Sequence, residues 1–254
     1  GLLVKSGAYC MISFPFDIYS SHISSVIGDD IGGLDDATNR LAYWSSRDGR
    51  YLVNYEVVGI ARSKGYWLWT ESDAFIGSRG STALPDTTIN DIDYCTVVLE
   101  PGWNQIGTPF AFPISWGDCL QEDSLAIEDG LHEYSSGTGG NAKYSLATVL
   151  QPYRGYWVRN TTATQQLLFM PHRKSSEAPA KSGYSASSSE IQLIAKSGRC
   201  IDDANFLRFR EGANAGVDQF DISEPPSIGD YLSLSFLPHP ESVKASELAV
   251  DSRH

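Results

Sequence analysis

Six tryptophans and a few knots of acidic side chains are the residues of this 254-residue chain whose chemistry can reach beyond the fold. An exposed indole or phenol ring stacks on the apolar face of a sugar ring, while polar neighbours bond the hydroxyls. Trp69 and Trp116 suit that role best, and Trp44, Tyr134 and Arg159 complete the candidate ligand-binding set. The strongest acidic knot is Asp202, Asp203 and Asn205 followed by Asp218, Asp221 and Glu224. Calcium takes about six to eight oxygen ligands from loops of this composition. The spacing lacks the Asp/Asn ladder and loop glycine of an EF-hand, so turn and capping residues are the competing interpretation. Asp29, Asp30, Asp35 and Asp36 form a weaker knot of the same kind.

Catalytic signatures are absent from the pattern. The nearest approach to a nucleophile elbow, Gly183-Tyr184-Ser185-Ala186-Ser187, fails at its last position. His22, His132, His172, His239 and His254 stand in no paired-ligand spacing. A glycosidase needs two carboxylates a set distance apart, and 31 acidic residues hide any such pair. Gly137-Thr138-Gly139-Gly140 fits a hairpin turn better than a phosphate cradle, and Asn160-Thr161-Thr162 is a single glycosylation sequon.

Bulk properties narrow the class. A net charge of −12, with no clustered Lys and Arg, argues against nucleic acid and against anionic membrane surfaces. No apolar run approaches the ~20 residues of a membrane helix, so membrane insertion is not expected. Gly1-Leu2-Leu3-Val4-Lys5 is too short for a signal peptide, which suits a mature or excised piece of a longer protein. Cys10, Cys95, Cys119 and Cys200 have no CxxC spacing and read as buried free thiols, with two disulfides as the alternative.

The elements that must position these residues occur twice. Tyr9-Cys10-Met11-Ile12-Ser13-Phe14-Pro15-Phe16 is answered by Trp103-Asn104-Gln105-Ile106-Gly107-Thr108-Pro109-Phe110, an offset of 94 residues. Gly65-Tyr66-Trp67-Leu68 is answered by Gly155-Tyr156-Trp157-Val158, an offset of 90. A tandem duplication of a strand-rich unit explains both. The fold class is therefore all-β, with antiparallel units at 1–90 and 91–172. Strands are expected over Leu2–Phe16, Leu41–Trp44, Tyr51–Val58 and Tyr66–Trp69, with a hairpin turn at Ser45–Arg50. That turn lengthens to Ser135–Lys143 in the second unit. Ile18–Ile31 and Trp116–Ile127 have room for a helical turn but show no sustained helical period. Alternation puts Tyr66 and Leu68 on one face and Trp67 and Trp69 on the other. Recurrence assigns Tyr66, Trp67, Tyr156 and Trp157 to packing, whereas Trp69 is exchanged for Arg159 and Trp116 for His22.

Residues 173–189 turn to Ser, Ala, Lys, Gly and Pro and read as a linker. Residues 190–254 carry strand signals at Ile191–Ala195, Phe206–Phe209, Tyr231–Phe236 and Glu247–Asp251 and read as part of a β-sandwich that continues past His254.

The pairing of Trp103–Phe110 with Gly155–Val158 resembles β-repeats of large secreted bacterial surface proteins of the Bacteroidetes-type sorting-domain class. Asp202-Asp203-Ala204-Asn205-Phe206, Gly212-Ala213, Gly216-Val217-Asp218, Asp221 and Glu224-Pro225-Pro226 are similar to the region that follows those repeats, as are Phe236, His239-Pro240 and Asp251-Ser252-Arg253. Cys10 for the usual Asn, and Ser242 for a common Trp, depart from that pattern. The resemblance implies an extracellular or cell-surface location and an ancillary place among the neighbouring domains of a larger chain. It implies no catalytic residues. The expected function is a non-catalytic module that binds polysaccharide or cell-surface glycan, or mediates adhesion. A structural spacer and a hydrolase fragment with a hidden carboxylate site are the alternatives.

Overall fold

The computed structural model describes residues 1–35, 37–123, 126–127, 130–135, 143–175, 189–197, 200–214, 216, 221–228, 234–236 and 248–253. By compactness the chain divides into residues 1–133 with 147–180, and residues 134–146 with 181–254. The greater part of the expected linker, 176–188, lies outside the described residues, as does the hairpin tip 136–142.

The fold is all-β. The first repeat runs β1 (Leu2–Val4), β2 (Tyr9–Ser13), β3 (Asp17–Ile18), α1 (Ile23–Ile31), β4 (Asn39–Ser45), β5 (Arg50–Val53), β6 (Gly65–Thr70), β7 (Ala74–Ile76) and β8 (Gly80–Ser81). β9 (Thr87–Ile89) lies at the end of the span 1–90 and pairs with β10 (Ile92–Leu99). The second repeat runs from β10 through β11 (Gly102–Ile106), β12 (Ile114–Ser115), β13 (Leu120–Gln121), β14 (Leu131–Ser135), β15 (Lys143–Ala147), β16 (Val149–Leu150), β17 (Tyr156–Asn160) and β18 (Gln166–Pro171). Two sheets have the same order, β2-β6-β4-β5 and β11-β17-β14-β15, and the antiparallel pair β1-β7 is matched by β10-β18. Register matches as well. Met11 faces Trp67 and Ile12 faces Tyr66 in one sheet, as Gln105 faces Trp157 and Ile106 faces Tyr156 in the other.

The recurrent Gly-Tyr-Trp follows from three separate demands. Tyr66 points into a first core with Ile12, Phe14, Leu41 and Leu68, and Tyr156 into a second with Ile106, Phe110, Leu131 and Val158. Each phenol takes a backbone N–H across a loop, Tyr66 from Ala61 at 2.9 Å and Tyr156 from Gln151 at 2.8 Å, so neither hydroxyl is buried unpaired. Burial pushes both phenols up, Tyr156 to about 12. The glycines allow close approach. A Cβ on Gly65 would stand 2.9 Å from the Ile106 carbonyl oxygen, and one on Gly155 would stand 2.8 Å from that of Ile12.

Local chemistry explains where the two repeats part. Asn104 ties the β10–β11 turn, accepting from Glu100 N at 2.9 Å and donating to Glu100 O at 2.7 Å and Gly102 O at 2.9 Å. In the first repeat Asp73 holds the corresponding turn instead, taking Lys5 Nζ at 2.6 Å and Ser6 N at 2.9 Å. Position 10 is thereby released to a cysteine. The strand expected over Tyr51–Val58 stops at Val53. Buried Asn54 adopts φ 48°, accepts Leu41 N at 2.9 Å and opens a 3-10 turn over Asn54–Glu56. Helix α1 is a full nine residues, with Val26 and Ile27 buried and Ile23 and Ile31 packed on the first core. It ends at Gly32, whose φ of 77° suits glycine.

Strands β19 (Ser189–Ser197), β20 (Cys200–Phe209), β21 (Ile222–Ser223) and β22 (Leu248–Arg253) form one sheet of order β19-β20-β22-β21. β19 and β20 are an antiparallel pair with a register shift between Leu193 and Ala195, whereas β20 and β22 run parallel. The strand expected at Tyr231–Phe236 is described only at 234–236, where Phe236 makes an isolated bridge to Leu248. Arg208 is buried, and its Nε meets the cross-strand Glu190 carboxylate at 2.6 Å.

Cys10, Cys95 and Cys119 are free thiols. Burial pushes Cys10 and Cys95 up to about 11, with Arg154 and Arg62 respectively opposing, and raises Cys119 as well. The nucleophile is the thiolate, so at pH 7 all three should resist alkylation in the native state. Peptide mapping after iodoacetamide treatment should find these positions labelled only in denaturant; native labelling at Cys95, the buried one of the three, would contradict its burial.

Candidate functional site

Among the described residues two places stand out, a packed aromatic cluster and an open groove. The first lies between the repeats, on the sheet faces turned away from the two cores. Trp67 and Trp157 are 1% and 0% exposed. Trp157 makes edge contacts with Trp44 and Trp103 at 6.4 and 6.0 Å between ring centroids, and Trp103 meets His132 at 5.1 Å. Trp67 touches Tyr9 at 6.1 Å and donates its Nε1–H to the Tyr51 hydroxyl at 3.2 Å. The backbone of Trp44 donates to Gln105 Oε1 at 2.7 Å, and the Ser46 hydroxyl donates to the Trp103 carbonyl. This is edge-to-face packing, in which Trp157 Nε1, Trp44 Nε1 and Gln105 Nε2 are buried without a hydrogen-bond partner among the described residues, while Trp44 and Trp103 stay half-buried.

The residues singled out in the sequence do not converge. Trp44 is half-buried in that cluster. Trp69 is half-buried on β6, flanked in register by Tyr9 and Arg40. Arg159 occupies the matching place on β17, its guanidinium 5.9 Å from the Trp103 ring. Trp116 opens a 3-10 turn over Trp116–Asp118 and packs against the second core. Tyr134 meets Tyr144 in a tilted ring contact at 5.2 Å within its own hairpin. Trp69 and Trp116 are thus more open than Trp67 and Trp157, but each is a separate rim residue.

Among the acidic set, Asp202 accepts Asn205 Nδ2 at 2.8 Å and Leu234 N at 2.6 Å. Asp221 accepts Ser252 N at 2.7 Å. These are the contacts of turn and edge caps. Asp218 lies outside the described residues, and of Asp203 only the backbone in β20 is described. No group of three or more His, Cys, Asp or Glu placed to hold a metal ion occurs among the described residues. The sequon asparagine, Asn160, is 1% exposed, and its Nδ2 is bonded to Leu99 O and Thr164 O.

The open place is a groove of about 380 Å³ between α1 and the 55–58 loop, lined among others by His22, Ile23, Ser24, Leu34, Tyr55 and Val58. That volume falls within the range of small-ligand sites. Both walls are fixed. Asn39 Nδ2 caps the end of α1, donating to Ile31 O at 2.9 Å and Gly33 O at 3.1 Å. Asp35 accepts Ala37 N, Thr38 N and the Thr38 hydroxyl, and these bonds hold its carboxyl below the usual range. Asp30, raised by burial, accepts Gly77 N at 2.8 Å and ties α1 to the end of β7. On the opposite wall Glu56 takes Val53 N and Arg50 Nη1, which lower its carboxyl. Across the groove, the Tyr55 hydroxyl donates to Leu34 O at 2.9 Å while the residue remains 87% exposed. Val58 beside it is 95% exposed.

Tyr55, Val58 and the α1 groove were not among the residues singled out in the sequence. The signal was the spacing Ile23, Val26, Ile27, Ile31 followed by Gly32-Gly33, a short amphipathic helix and its stop. The second repeat has a 3-10 turn, Trp116–Asp118, at the corresponding place, where Trp116 stands for His22. No family model, curated protein or solved structure matches this chain.

Proposed function

We propose that this chain is a non-catalytic binding module of a secreted or surface-attached protein, and that it takes a glycan in the α1 groove. The observation that carries this is Tyr55: a ring 87% exposed, held in place by its hydroxyl bond to Leu34 O, on the rim of a groove beside α1, a helix at whose place the second repeat has a 3-10 turn. What a duplicated frame needs, it keeps twice. A feature present once is free to serve something other than the frame. Ordering an aromatic side chain before the ligand arrives removes a cost that binding otherwise carries. Tyr55 with Val58 provides an apolar platform, and His22, Ser24 and the Gly32-Gly33 backbone supply polar groups for hydroxyls. The acidic surface does not oppose a neutral sugar.

The test is a glycan array with the wild-type protein, Tyr55→Ala and Trp69→Ala. Tyr55→Ala should weaken a glycan hit by about 1–3 kcal/mol, as loss of an aromatic anchor does, with the unfolding midpoint unchanged. Trp69→Ala should leave binding intact. The reverse result would move the site to Trp69, and a silent array with folded protein would favour the spacer.

A further inference from the structure

The contact between the repeats is reciprocal in detail. Ser13 N donates to Tyr153 O at 3.0 Å, and Gly107 N donates to Ser63 O at 3.1 Å. Ser13 corresponds to Gly107 and Tyr153 to Ser63 at the two repeat offsets, so these are one bond made twice. Ser63 and Tyr153 share a left-handed backbone, φ 62° and 65°. The isolated bridges Ile12↔Arg154 and Lys64↔Ile106 are likewise a matched pair, as are the close approaches of Gly65 and Gly155. Contacts in which residue i meets j and j meets i define an isologous, two-fold interface.

On that axis equivalent residues must meet each other, and they do. A Cβ placed on Gly107 would lie 2.2 Å from Ser13 Cβ and 2.4 Å from its Oγ. Ser13 is fully buried and donates its hydroxyl to Arg154 O at 2.8 Å. Two serines here would collide, and two glycines would leave a hole without that hydrogen bond. One of each fits.

We propose that each repeat carries a docking surface whose partner is a repeat of the other kind, that the Ser13–Gly107 pair selects unlike over like pairing, and that the surface holds without the covalent connection. Like pairing through this surface, first repeat to first repeat, is blocked by the serine clash. A second copy of the chain engages best by exchanging a first repeat for a second one, since a second-to-second pair, with two glycines on the axis, lacks the bond that Ser13 donates to Arg154 O.

Reciprocal substitution in the full chain tests the two-fold relation. Gly107→Ser should lower Tm by roughly 5–10 °C, the overpacking cost for a chain of this size. Adding Ser13→Gly should recover at least half of that loss. The hydroxyl introduced at position 107 then takes over the place of the Ser13 hydroxyl and faces Lys64 O in place of Arg154 O. If the single variant does not fold, a folded double variant gives the same answer; a double variant no better than the single would overturn the proposal. The second measurement inserts a protease site between Ser81 and Thr82, both exposed, and cleaves the folded protein. The two pieces should co-elute in native buffer and part in urea. Separation in native buffer would show that the connection, rather than the surface, holds the repeats together.

Discussion

Trp157→Ala should destabilise the protein by about 3–5 kcal/mol, the usual cost of emptying a buried aromatic site. Trp69→Ala, four residues after the Gly65 that corresponds to Gly155, should cost less than half as much. Trp157 is 0% exposed and touches Trp44 and Trp103, so its removal opens a cavity shared by both repeats. Neither core reaches around it to fill the space, because Tyr156 and Val158 already point the other way. Each lost edge contact between rings adds to the transfer penalty. Trp69 is half-buried at a position where the other repeat has Arg159, and water replaces much of what it loses. Urea unfolding reads the difference as a shift in midpoint at unchanged slope. Equal costs for the two substitutions would mean that the inter-repeat cluster contributes no more than an ordinary rim.

That contrast shows what repetition makes legible. Pro15 with Pro109 and Gly65 with Gly155 announced the duplication, because close approach and buried phenols are demands the frame makes in both copies. Alternation placed Trp67 and Trp157 opposite the core-facing tyrosines, but a single strand pattern shows only that a face is covered. What covers it, here the other repeat, depends on long-range pairing that no local spacing encodes. The groove was harder to see for a different reason. Nine residues give α1 only two and a half turns, and His22 before it makes no side-chain cap, so the periodicity never built up. Tyr55 and Val58 sit in a β-rich run, and only the left-handed Asn54, held by Leu41 N, turns them out of the sheet. The acidic residues show the limit of composition: Asp202 and Asp221 are committed to backbone N–H groups that sequence separation hides.

Asn160→Asp should be the most damaging exchange of one heavy atom in the second repeat, and its damage should shrink at low pH. Asn160 is 1% exposed, and all of its polar capacity is directed. Nδ2 donates to Leu99 O at 3.3 Å and Thr164 O at 2.8 Å, while Oδ1 accepts Thr162 N at 2.9 Å and the Thr162 hydroxyl at 2.8 Å. An aspartate keeps the accepting side but turns an anion towards two carbonyl oxygens. Asn160→Ala leaves buried groups unpaired, at about 1–3 kcal/mol, and the buried charge should exceed that. Desolvation and the facing carbonyls both favour the neutral acid, so the folded-state pKa of the new carboxyl lies above its unfolded value. The folded state then binds the proton more tightly, and the variant loses stability as pH rises from the unfolded pKa of about 4 through the folded one. Unfolding midpoints at pH 4 and pH 7 should therefore converge on Asn160→Ala at the lower pH and fall below it at the higher. A pH-independent gap between the two variants would mean that Asn160 Nδ2 does not face those carbonyls. The same geometry predicts that the sequon asparagine carries no glycan in the folded protein, since the nitrogen that would be modified is already bonded on both sides.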